Sequence, residues 1–135
     1  MRDINKIIVH CSATPEGRDI SASTINEWHK ERGWSGIGYH YVIKLDGLIE
    51  HGRDINKTGA HVKNHNKGSI GICYIGGCNA SMSAKDTRTP EQKESLLLLL
   101  KTLKKMHPRA TIHGHNEFSA KACPCFNANE EYCNI

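Results

Sequence analysis

Long hydrophobic runs are missing from this sequence of 135 residues. The longest apolar run, Leu96–Leu100, ends at Lys101 and is far shorter than the roughly 20 residues that a membrane-spanning helix needs. The polar residues 1–6 lead straight into an apolar strand pattern and do not resemble a signal peptide. We therefore expect no membrane segment, and synthesis in the cytoplasm without a signal peptide.

Dense basic clusters, internal repeats and low-complexity tracts are also missing. The 18 basic and 14 acidic residues give a formal net charge of +4, but no Lys/Arg cluster with interleaved aromatic residues occurs. The charge favours anionic partners such as cell-wall polymers, and we do not expect nucleic acid to be one. With 38% hydrophobic and 24% charged residues, the composition is that of an ordinary globular chain of one domain.

The cysteines are even in number: Cys11, Cys73, Cys78, Cys123, Cys125 and Cys133. Without a signal peptide, a disulfide framework is not the default interpretation. Cys11 and Cys73 lie in or beside apolar strand patterns, so we expect them to be small buried hydrophobic residues. Cys78, Cys125 and Cys133 could pair under oxidising conditions, and their spacing does not decide this.

Several apolar segments predict β-strands. Ile7–Val9 has the continuous β-branched pattern of a strand buried on both faces, Ser69–Ile75 is a second strand with a close approach at Gly71, and residues 110–113 form a last short strand. Residues 39–44 and 48–50 predict a hairpin with a type I′ turn at Asp46-Gly47. The two-residue period places Tyr39, Tyr41 and Ile43 on one face of this hairpin.

Two segments predict helices. The first begins with a capping box at Thr24 and ends at Gly33. The second has Thr89 as its N-cap, followed by Pro90 and by Gln92, which completes a capping box. Residues at helical spacing predict its buried face: Leu96, Leu99, Leu100, Leu103 and Met106.

The segment from His115 to Pro124 concentrates groups that can bind a metal, with an imidazole, the Lys121 ammonium and the Cys123 thiol on one short loop. A second imidazole, His10, follows the first strand, and ligands collect beyond the carboxyl ends of such strands. If the first and last strands are parallel neighbours, His10 and His115 converge at one sheet edge. Two imidazoles and one thiolate suit Zn²⁺ and leave a fourth position for water, as in a catalytic site.

The chemistry expected of such a site is attack of water on a carbonyl. Zinc can lower the pKa of a bound water towards ~7 and polarise the carbonyl. Lys121 would favour the Cys123 thiolate and is a candidate for stabilising the oxyanion that forms on attack at an amide. No His-Glu-x-x-His motif occurs, so proton transfer would involve the water with Tyr39, or a residue that the pattern does not identify.

Some assignments stay open on residue patterns alone. His10 also fits a hydrogen-bonded core histidine. His113 shares a strand face with His115 by alternation, so spacing does not decide which of the two binds metal. Cys123 and Cys125 could instead be structural zinc ligands, although Cys-x-Cys is tighter than the usual spacing.

The polar segment from Gly52 to Gly68 predicts a long loop, and long loops in small domains are often functional. Arg53, His61 and Asn64 are candidate substrate-binding residues in it. A solvated surface loop explains the same residues equally well.

Four motifs occur in order along the chain: Val9-His10-Cys11-Ser12-Ala13-Thr14, Gly36-Ile37-Gly38-Tyr39-His40-Tyr41, Ser69-Ile70-Gly71-Ile72 and Lys121-Ala122-Cys123-Pro124. Together they resemble the motifs of the type 2 N-acetylmuramoyl-L-alanine amidase family. The similarity runs from about Ile7 to Phe126 and is greatest to the small bacteriophage lysozymes that are zinc amidases; animal peptidoglycan recognition proteins are more distantly similar.

The resemblance implies an α/β fold, with a mixed central β-sheet flanked by helices on both faces and residues 1–135 forming a single zinc amidase domain. The implied reaction is hydrolysis of the amide between the lactyl group of N-acetylmuramic acid and L-alanine in peptidoglycan. We expect a monomeric lysin of phage or prophage type that acts at the cell wall.

The family's motifs place its functional residues at five positions of this chain: His10, His115 and Cys123 as zinc ligands, and Tyr39 and Lys121 as catalytic residues. His113 is then only a neighbour of the site. The phage enzymes also carry an N-terminal extension that binds phage RNA polymerase, and this sequence starts almost at the first strand, which argues against a polymerase-regulating role.

Two other functions compete with the zinc amidase. The first is a non-catalytic peptidoglycan-binding module, but relatives of that kind commonly lose the cysteine ligand and Cys123 is present. The second is a partner-binding regulator, which the missing extension argues against.

Overall fold

A computed structural model describes residues 2–135, and its centre is a five-stranded sheet in the order β4-β3-β5-β1-β7. The strands are β1 (Lys6–Cys11), β2 (Thr14–Pro15), β3 (Tyr41–Ile43), β4 (Ile49–His51), β5 (Ser69–Tyr74), β6 (Gly77–Cys78) and β7 (Thr111–Gly114), and the helices are α1 (Ala22–Glu31), α2 (Pro90–Met106) and α3 (Ala128–Tyr132). Strand β4 is antiparallel to β3, whereas the other pairs in this sheet are parallel. Strands β2 and β6 form a separate parallel pair. The predicted mixed sheet is confirmed.

The first strand lies in the interior of the sheet, between β5 and β7, as its apolar run predicts. Ile7, Ile8 and Val9 are fully buried, as are all six residues of β5. Both faces of β1 are covered, which explains why its pattern is continuous rather than alternating. Val9 is in register with Ile72 on one side and Gly114 on the other.

Helices cover both faces of the sheet, as predicted. On one face, the leucines of α2 and residues of α3 pack against alternate residues of the central strands, including Val9 and Ile72. On the other face, Ile25 of α1 packs with Val42 and Cys73. By the two-residue period, His10 lies on the same side of β1 as Ile8, which is the side away from Val9 and the α2 leucines.

Helix α2 begins as predicted, with Thr89 and Gln92 forming a reciprocal capping box. Its leucine stripe is buried as far as Leu103. The prediction of a buried Met106 is wrong, because this last helical residue lies beyond the stripe and is 58% exposed.

The predicted start of α1 at Thr24 is wrong. Ser21 is the N-cap, and its hydroxyl accepts a hydrogen bond from the Thr24 N–H at 3.2 Å. The Glu50 carboxylate accepts the Ala22 N–H at 2.8 Å, so a partner distant in sequence satisfies the first turn. Gly33 follows the helix at φ +87°, which agrees with its predicted role as a terminator.

The hairpin between β3 and β4 exists, but its predicted type I′ turn is wrong. Gly47 has φ +90°, whereas Asp46 is not in the left-handed region that a type I′ turn requires. The Gly47 N–H donates to the Lys44 carbonyl and the Lys44 N–H to the Leu48 carbonyl, both at 2.9 Å. The connection is therefore a longer loop with a single left-handed residue.

The predicted face of Tyr39 is also wrong. Strand β3 starts only at Tyr41, so regular alternation does not reach Tyr39. Its side chain packs with the cluster around Val42, on the α1 side, whereas Ile43 belongs to the opposite cluster. Tyr39 thereby comes to the side of the sheet that holds His10.

The cysteines are all free thiols in the part of the chain that the structure describes. Cys11 and Cys73 are buried, as predicted. No helix within residues 2–135 is both long and apolar enough to cross a membrane.

Candidate metal centre

Two parallel strands bring the predicted histidine ligands together. Val9 of β1 is paired with Gly114 of β7, so the next residues lie side by side. His10 is still within β1, not after it as predicted, and His115 directly follows β7. Their ring centroids are 4.7 Å apart. His10 is buried and His115 is half-buried. The convergence predicted from the strand pattern is therefore what the register produces.

The third predicted ligand, Cys123, reaches the same place from the loop that follows β7. The Cys11 N–H donates to Cys123 Sγ at 3.1 Å, and the Tyr74 hydroxyl donates to the Pro124 carbonyl at 2.6 Å, so β1 and β5 both hold the loop. One ligand atom from each of His10, His115 and Cys123 lies within 4.8 Å of the other two. The three groups are therefore close enough to converge on one ion if their side chains draw together when it binds.

His113 and Cys125, the alternative ligands, lie outside this group. The His113 ring bonds to the Thr111 hydroxyl at 2.6 Å and to a Glu117 carboxylate oxygen at 2.8 Å. Strand alternation ends at Gly114, because His115 begins a short 3₁₀ helix. The Cys125 thiol donates to the Gly77 carbonyl at 3.3 Å.

The local electrostatics keep the imidazoles neutral. Burial, with smaller effects from His61, His115 and Lys121, lowers the pKa of His10 well below its ordinary value. Burial and the Lys121 cation also lower the pKa of His115. Neutral imidazole is the form that binds a metal, so these side chains need not lose a proton at neutral pH.

His61 touches the metal-ligand group directly. Its Nδ1 lies 2.9 Å from His10 Nε2, and its Nε2 lies 3.2 Å from the Ser69 hydroxyl. The ring lies over Gly71 of β5, where an added Cβ would come within 2.6 Å of it. The predicted close approach at Gly71 is thus explained by the His61 ring.

The two predicted catalytic residues also lie beside this group. The Tyr39 ring is 5.1 Å from the His10 ring, centroid to centroid, and is half-buried. Burial, with smaller effects from nearby thiols, raises the pKa of Tyr39 well above its usual value, so the phenol keeps its proton at neutral pH. Lys121 is exposed and lines the cleft next to His115.

An open cleft of about 570 Å³ runs past His115. It is lined by Trp34, Ala60, His61, Val62, Lys63, Asn66, His115, Phe118, Ser119 and Lys121. The mixture of aromatic, amide and cationic groups suits a polar ligand that has apolar segments.

The three candidate substrate-binding residues are placed differently. His61 lines the cleft, whereas Asn64 is exposed outside its lining and has φ +69°. The Arg53 guanidinium donates to the carbonyls of Ile37 and Thr58 at 3.0 and 2.9 Å, and it borders a different depression. The structure therefore brings only His61 to the cleft.

The aromatic walls of the cleft, Trp34 and Phe118, were not predicted. Phe118 packs against the His65 ring, with centroids 4.4 Å apart, and Trp34 packs against His29 at 4.6 Å. Both aromatic residues lie in loops without periodicity. Their only signal in the sequence is that large aromatic residues occur in otherwise polar segments.

A family comparison identifies the chain. The profile described as N-acetylmuramoyl-L-alanine amidase (Amidase_2) matches residues 1–126. The chain belongs to this amidase family. An endolysin of Enterobacteria phage K11 is 40% identical over 126 residues, which are 93% of this chain and 83% of that protein. Peptidoglycan-recognition protein LB of Drosophila melanogaster is 30% identical over 115 residues, covering 84% of this chain and 48% of that protein.

Solved structures agree with this membership. The endolysin and N-acetylmuramoyl-L-alanine amidase LysCS from Clostridium intestinale has a TM-score of 0.82 and 32% identity, covering 96% of this chain and 80% of its own. The family resemblance seen in the sequence motifs is confirmed. Family membership and the phage endolysins together support the activity of an N-acetylmuramoyl-L-alanine amidase, which is a hydrolase.

Proposed function

We propose that this amidase depends on zinc held by His10, His115 and Cys123, and that it cleaves the bond between the lactyl group of N-acetylmuramic acid and L-alanine. The observation that supports this most strongly is the approach of the three ligand atoms to within 4.8 Å of one another beside an open cleft. The dependence on zinc is the proposal, whereas the amidase activity is supported by membership of the family.

The donor set fits zinc. Two neutral imidazoles and a thiolate are ligands that Zn²⁺ favours, and three protein ligands leave one position for substrate or water. The Cys11 N–H points at the Cys123 sulfur and would stabilise a thiolate there. When bound, zinc would supply Lewis-acid chemistry, acidifying water and polarising the scissile carbonyl.

The protein's own groups would stabilise the charge that develops on the carbonyl oxygen. Lys121 offers a cation at the cleft wall, next to the imidazole of His115. Tyr39 keeps its proton at neutral pH, so we assign it as a hydrogen-bond donor rather than as a base. Cleavage adds one water across the amide, giving a lactyl carboxylate and a stem peptide with a free L-alanine amino group.

We propose peptidoglycan as the substrate, with the stem peptide lying along the cleft that Trp34 and Phe118 flank. The net charge of +4 favours an anionic wall polymer. Several relatives are named as phage endolysins, and we propose the same role at the cell wall for this chain. Residues 1–135 would form one catalytic domain that acts as a monomer.

The test uses purified sacculi, zinc-loaded protein and one matched pair of variants. Wild type should release stem peptides with free L-alanine amino termini, and chelation should stop the release. Cys123→Ala should lose both bound zinc and activity, whereas Cys133→Ala, which changes an exposed thiol outside the site, should keep both.

Two results would count against this function. Turnover that survives both chelation and Cys123→Ala would refute the zinc mechanism. Sacculus binding without turnover by zinc-loaded wild type would instead favour a peptidoglycan-binding module.

A further inference from the structure

A chain of hydrogen bonds runs from His10 away from the metal-ligand group. His10 Nε2 lies 2.9 Å from His61 Nδ1, and His61 Nε2 lies 3.2 Å from the Ser69 hydroxyl. The Ser69 hydroxyl in turn donates to the Asn66 carbonyl at 3.0 Å. The chain thus ends on a group that can only accept a hydrogen bond.

The Asn66 carbonyl at the end of this series of hydrogen bonds determines which group donates in each of them. The Ser69 proton goes to Asn66, so its oxygen is free to accept the His61 Nε2 proton. A neutral His61 then has a lone pair on Nδ1, which accepts the proton of His10 Nε2. The opposite direction would leave the Ser69 and Asn66 oxygens 3.0 Å apart with no proton between them.

The position of His61 is fixed by the main chain. The Asn66 side-chain oxygen accepts the N–H groups of His61 and Val62, both at 2.8 Å. Gly71 leaves room for the ring on β5. In its neutral form the His61 ring carries one proton, and the hydrogen-bond partners place that proton on the nitrogen that faces Ser69.

We propose that His61 is a positioning residue for the metal centre: the His10–His61–Ser69 relay keeps the proton of His10 on Nε2 and leaves the lone pair of Nδ1 for the metal. This inference rests on the proposed zinc function and extends it. Ligand histidines commonly donate their second N–H to a carboxylate, carbonyl or water. Here an imidazole takes that place and passes the bond to a hydroxyl and a carbonyl.

The relay assigns His61 a different task from substrate binding. Its two ring nitrogens face His10 and Ser69, so neither is left for a ligand in the cleft. Substrate in the cleft can still contact the ring surface, since His61 lines it. Loss of His61 should therefore act first on metal affinity and on kcat rather than on KM.

The direct test is the tautomer of His10 in the full-length chain loaded with Zn²⁺. Long-range ¹H–¹⁵N NMR correlations distinguish a proton on Nε2 from one on Nδ1. We expect the His10 proton on Nε2 and the His61 proton also on Nε2. A His10 proton on Nδ1 in the zinc-loaded protein would overturn the relay.

Zinc affinity, measured by competition with a chelator, gives a second readout. His61→Phe should weaken Zn²⁺ binding by about 10- to 100-fold, the range typical for loss of such a partner. His61→Asn puts an oxygen acceptor near the Nδ1 position and should restore most of the affinity. Ser69→Ala should weaken binding in the same direction as His61→Phe.

Matched controls separate the relay from general damage. Ser95→Ala removes a similar hydroxyl-to-carbonyl bond, to Gly47 at 2.6 Å, outside the site. His51→Phe changes an exposed histidine on β4. Both should bind zinc like wild type.

The outcomes distinguish the two proposals. Equal zinc affinity in wild type, His61→Phe and Ser69→Ala would overturn the relay and leave the zinc site standing. Wild type that fails to bind zinc at all would overturn both. Weak binding by His61→Phe with recovery in His61→Asn would support the relay, since a packing defect would not recover with a smaller polar side chain.

Discussion

Tyr39 and Lys121 are held in different ways, although we propose that both stabilise the negative charge that develops on the carbonyl oxygen. Tyr39 is half-buried, packs against the His10 ring and belongs to the cluster that includes Val42. Lys121 is exposed on the loop that follows β7, so water surrounds its side chain. We therefore expect a fixed neutral donor from the first residue and a solvated cation from the second.

Replacing Tyr39 by Phe tests the donor role. The ring would still pack against His10, so stability and zinc affinity should stay close to wild type. The loss of one hydrogen-bond donor to the transition state should lower kcat by about 100- to 1,000-fold with little change in KM. Kinetics on soluble muropeptides measure this, and an unchanged kcat would remove Tyr39 from the mechanism.

Replacing Lys121 by Met tests the cation. Because the side chain is exposed, the substitution should hardly affect unfolding, and kcat should fall by about 100-fold or more if the ammonium stabilises the oxyanion. Lys63→Met is the control, since Lys63 lines the same cleft but is not assigned to the charge. Equal losses in the two variants would mean that only the general positive charge of the cleft matters.

Single residues also mark the limit of what the sequence could predict about the site. His10 lies near the end of β1 and His115 directly after β7, so their convergence could be predicted only on the condition that these strands are parallel neighbours. Cys123 lies in an irregular loop, so residue types made it, Lys121 and Tyr39 candidates, and the family resemblance then assigned their roles. The contact between His61 and His10 was missed, because it depends on how a long loop folds back onto Gly71.

At the scale of elements, the short helix α3 depends on one buried cation. A helix of five residues is not stable alone. The Arg88 guanidinium bonds to the Glu131 carboxylate and the Tyr132 hydroxyl, both at 2.8 Å, and lies over the Phe126 ring at 3.4 Å. It also pairs with Asp86, so one side chain joins the segment that precedes α2 to the C-terminal segment.

Arg88→Met should therefore destabilise the fold. The Arg88 side chain is 2% exposed but its carboxylate partners are 30% and 43% exposed, so they can be rehydrated when the cation is lost. We expect a loss of about 2–3 kcal/mol in the free energy of unfolding, below the value for a fully buried pair. Urea denaturation measures it.

The control for this variant is a surface ion pair. Lys85→Met removes the exposed pair with Glu16, at 2.8 Å, and should cost less than about 1 kcal/mol. If the Arg88 and Lys85 variants lose equal stability, the buried cation does not hold α3 in place.

The starts of the helices show which parts of the fold are determined by residues close together in the sequence. The start of α2 follows from Thr89 and Gln92, which satisfy each other within one turn. The start of α1 has a local cap, Ser21, and also the distant Glu50 carboxylate, which no local pattern contains. Gln92 also donates to the Ile43 carbonyl at 3.2 Å, and this tertiary bond could not be read from its capping role.

At the scale of the whole molecule, several histidines are buried in neutral form. Burial lowers the pKa of His29 to about 4, and burial with the charge of His40 lowers that of His61 to about 3. In the unfolded chain these histidines have their ordinary pKa of about 6.5. Between that pH and their lowered pKa values, the unfolded chain therefore binds more protons than the folded one. The contribution of these neutral histidines to the free energy of unfolding is therefore fully present above about pH 6.5 and is lost as the pH falls towards 4.

The zinc-free protein should lose stability in this window before most carboxylates are protonated. His29→Asn keeps an acceptor for the Gly38 N–H, which His29 Nδ1 accepts at 2.9 Å, but it cannot be protonated. It should flatten the dependence of unfolding free energy on pH by on the order of 1.4 kcal/mol per pH unit, the value for one proton. Urea denaturation from pH 4.5 to 7 measures the slope, and identical slopes would contradict the account.

The central claim is an open zinc site with two imidazoles and one sulfur, and X-ray absorption at the zinc K edge tests it most directly. The zinc-loaded chain should show one sulfur at about 2.3 Å, two imidazole nitrogens at about 2.0–2.1 Å and one further light atom. The sulfur contribution should disappear in Cys123→Ala. A spectrum with no sulfur, with two sulfurs, or with no zinc retained by the folded protein would contradict the proposed centre.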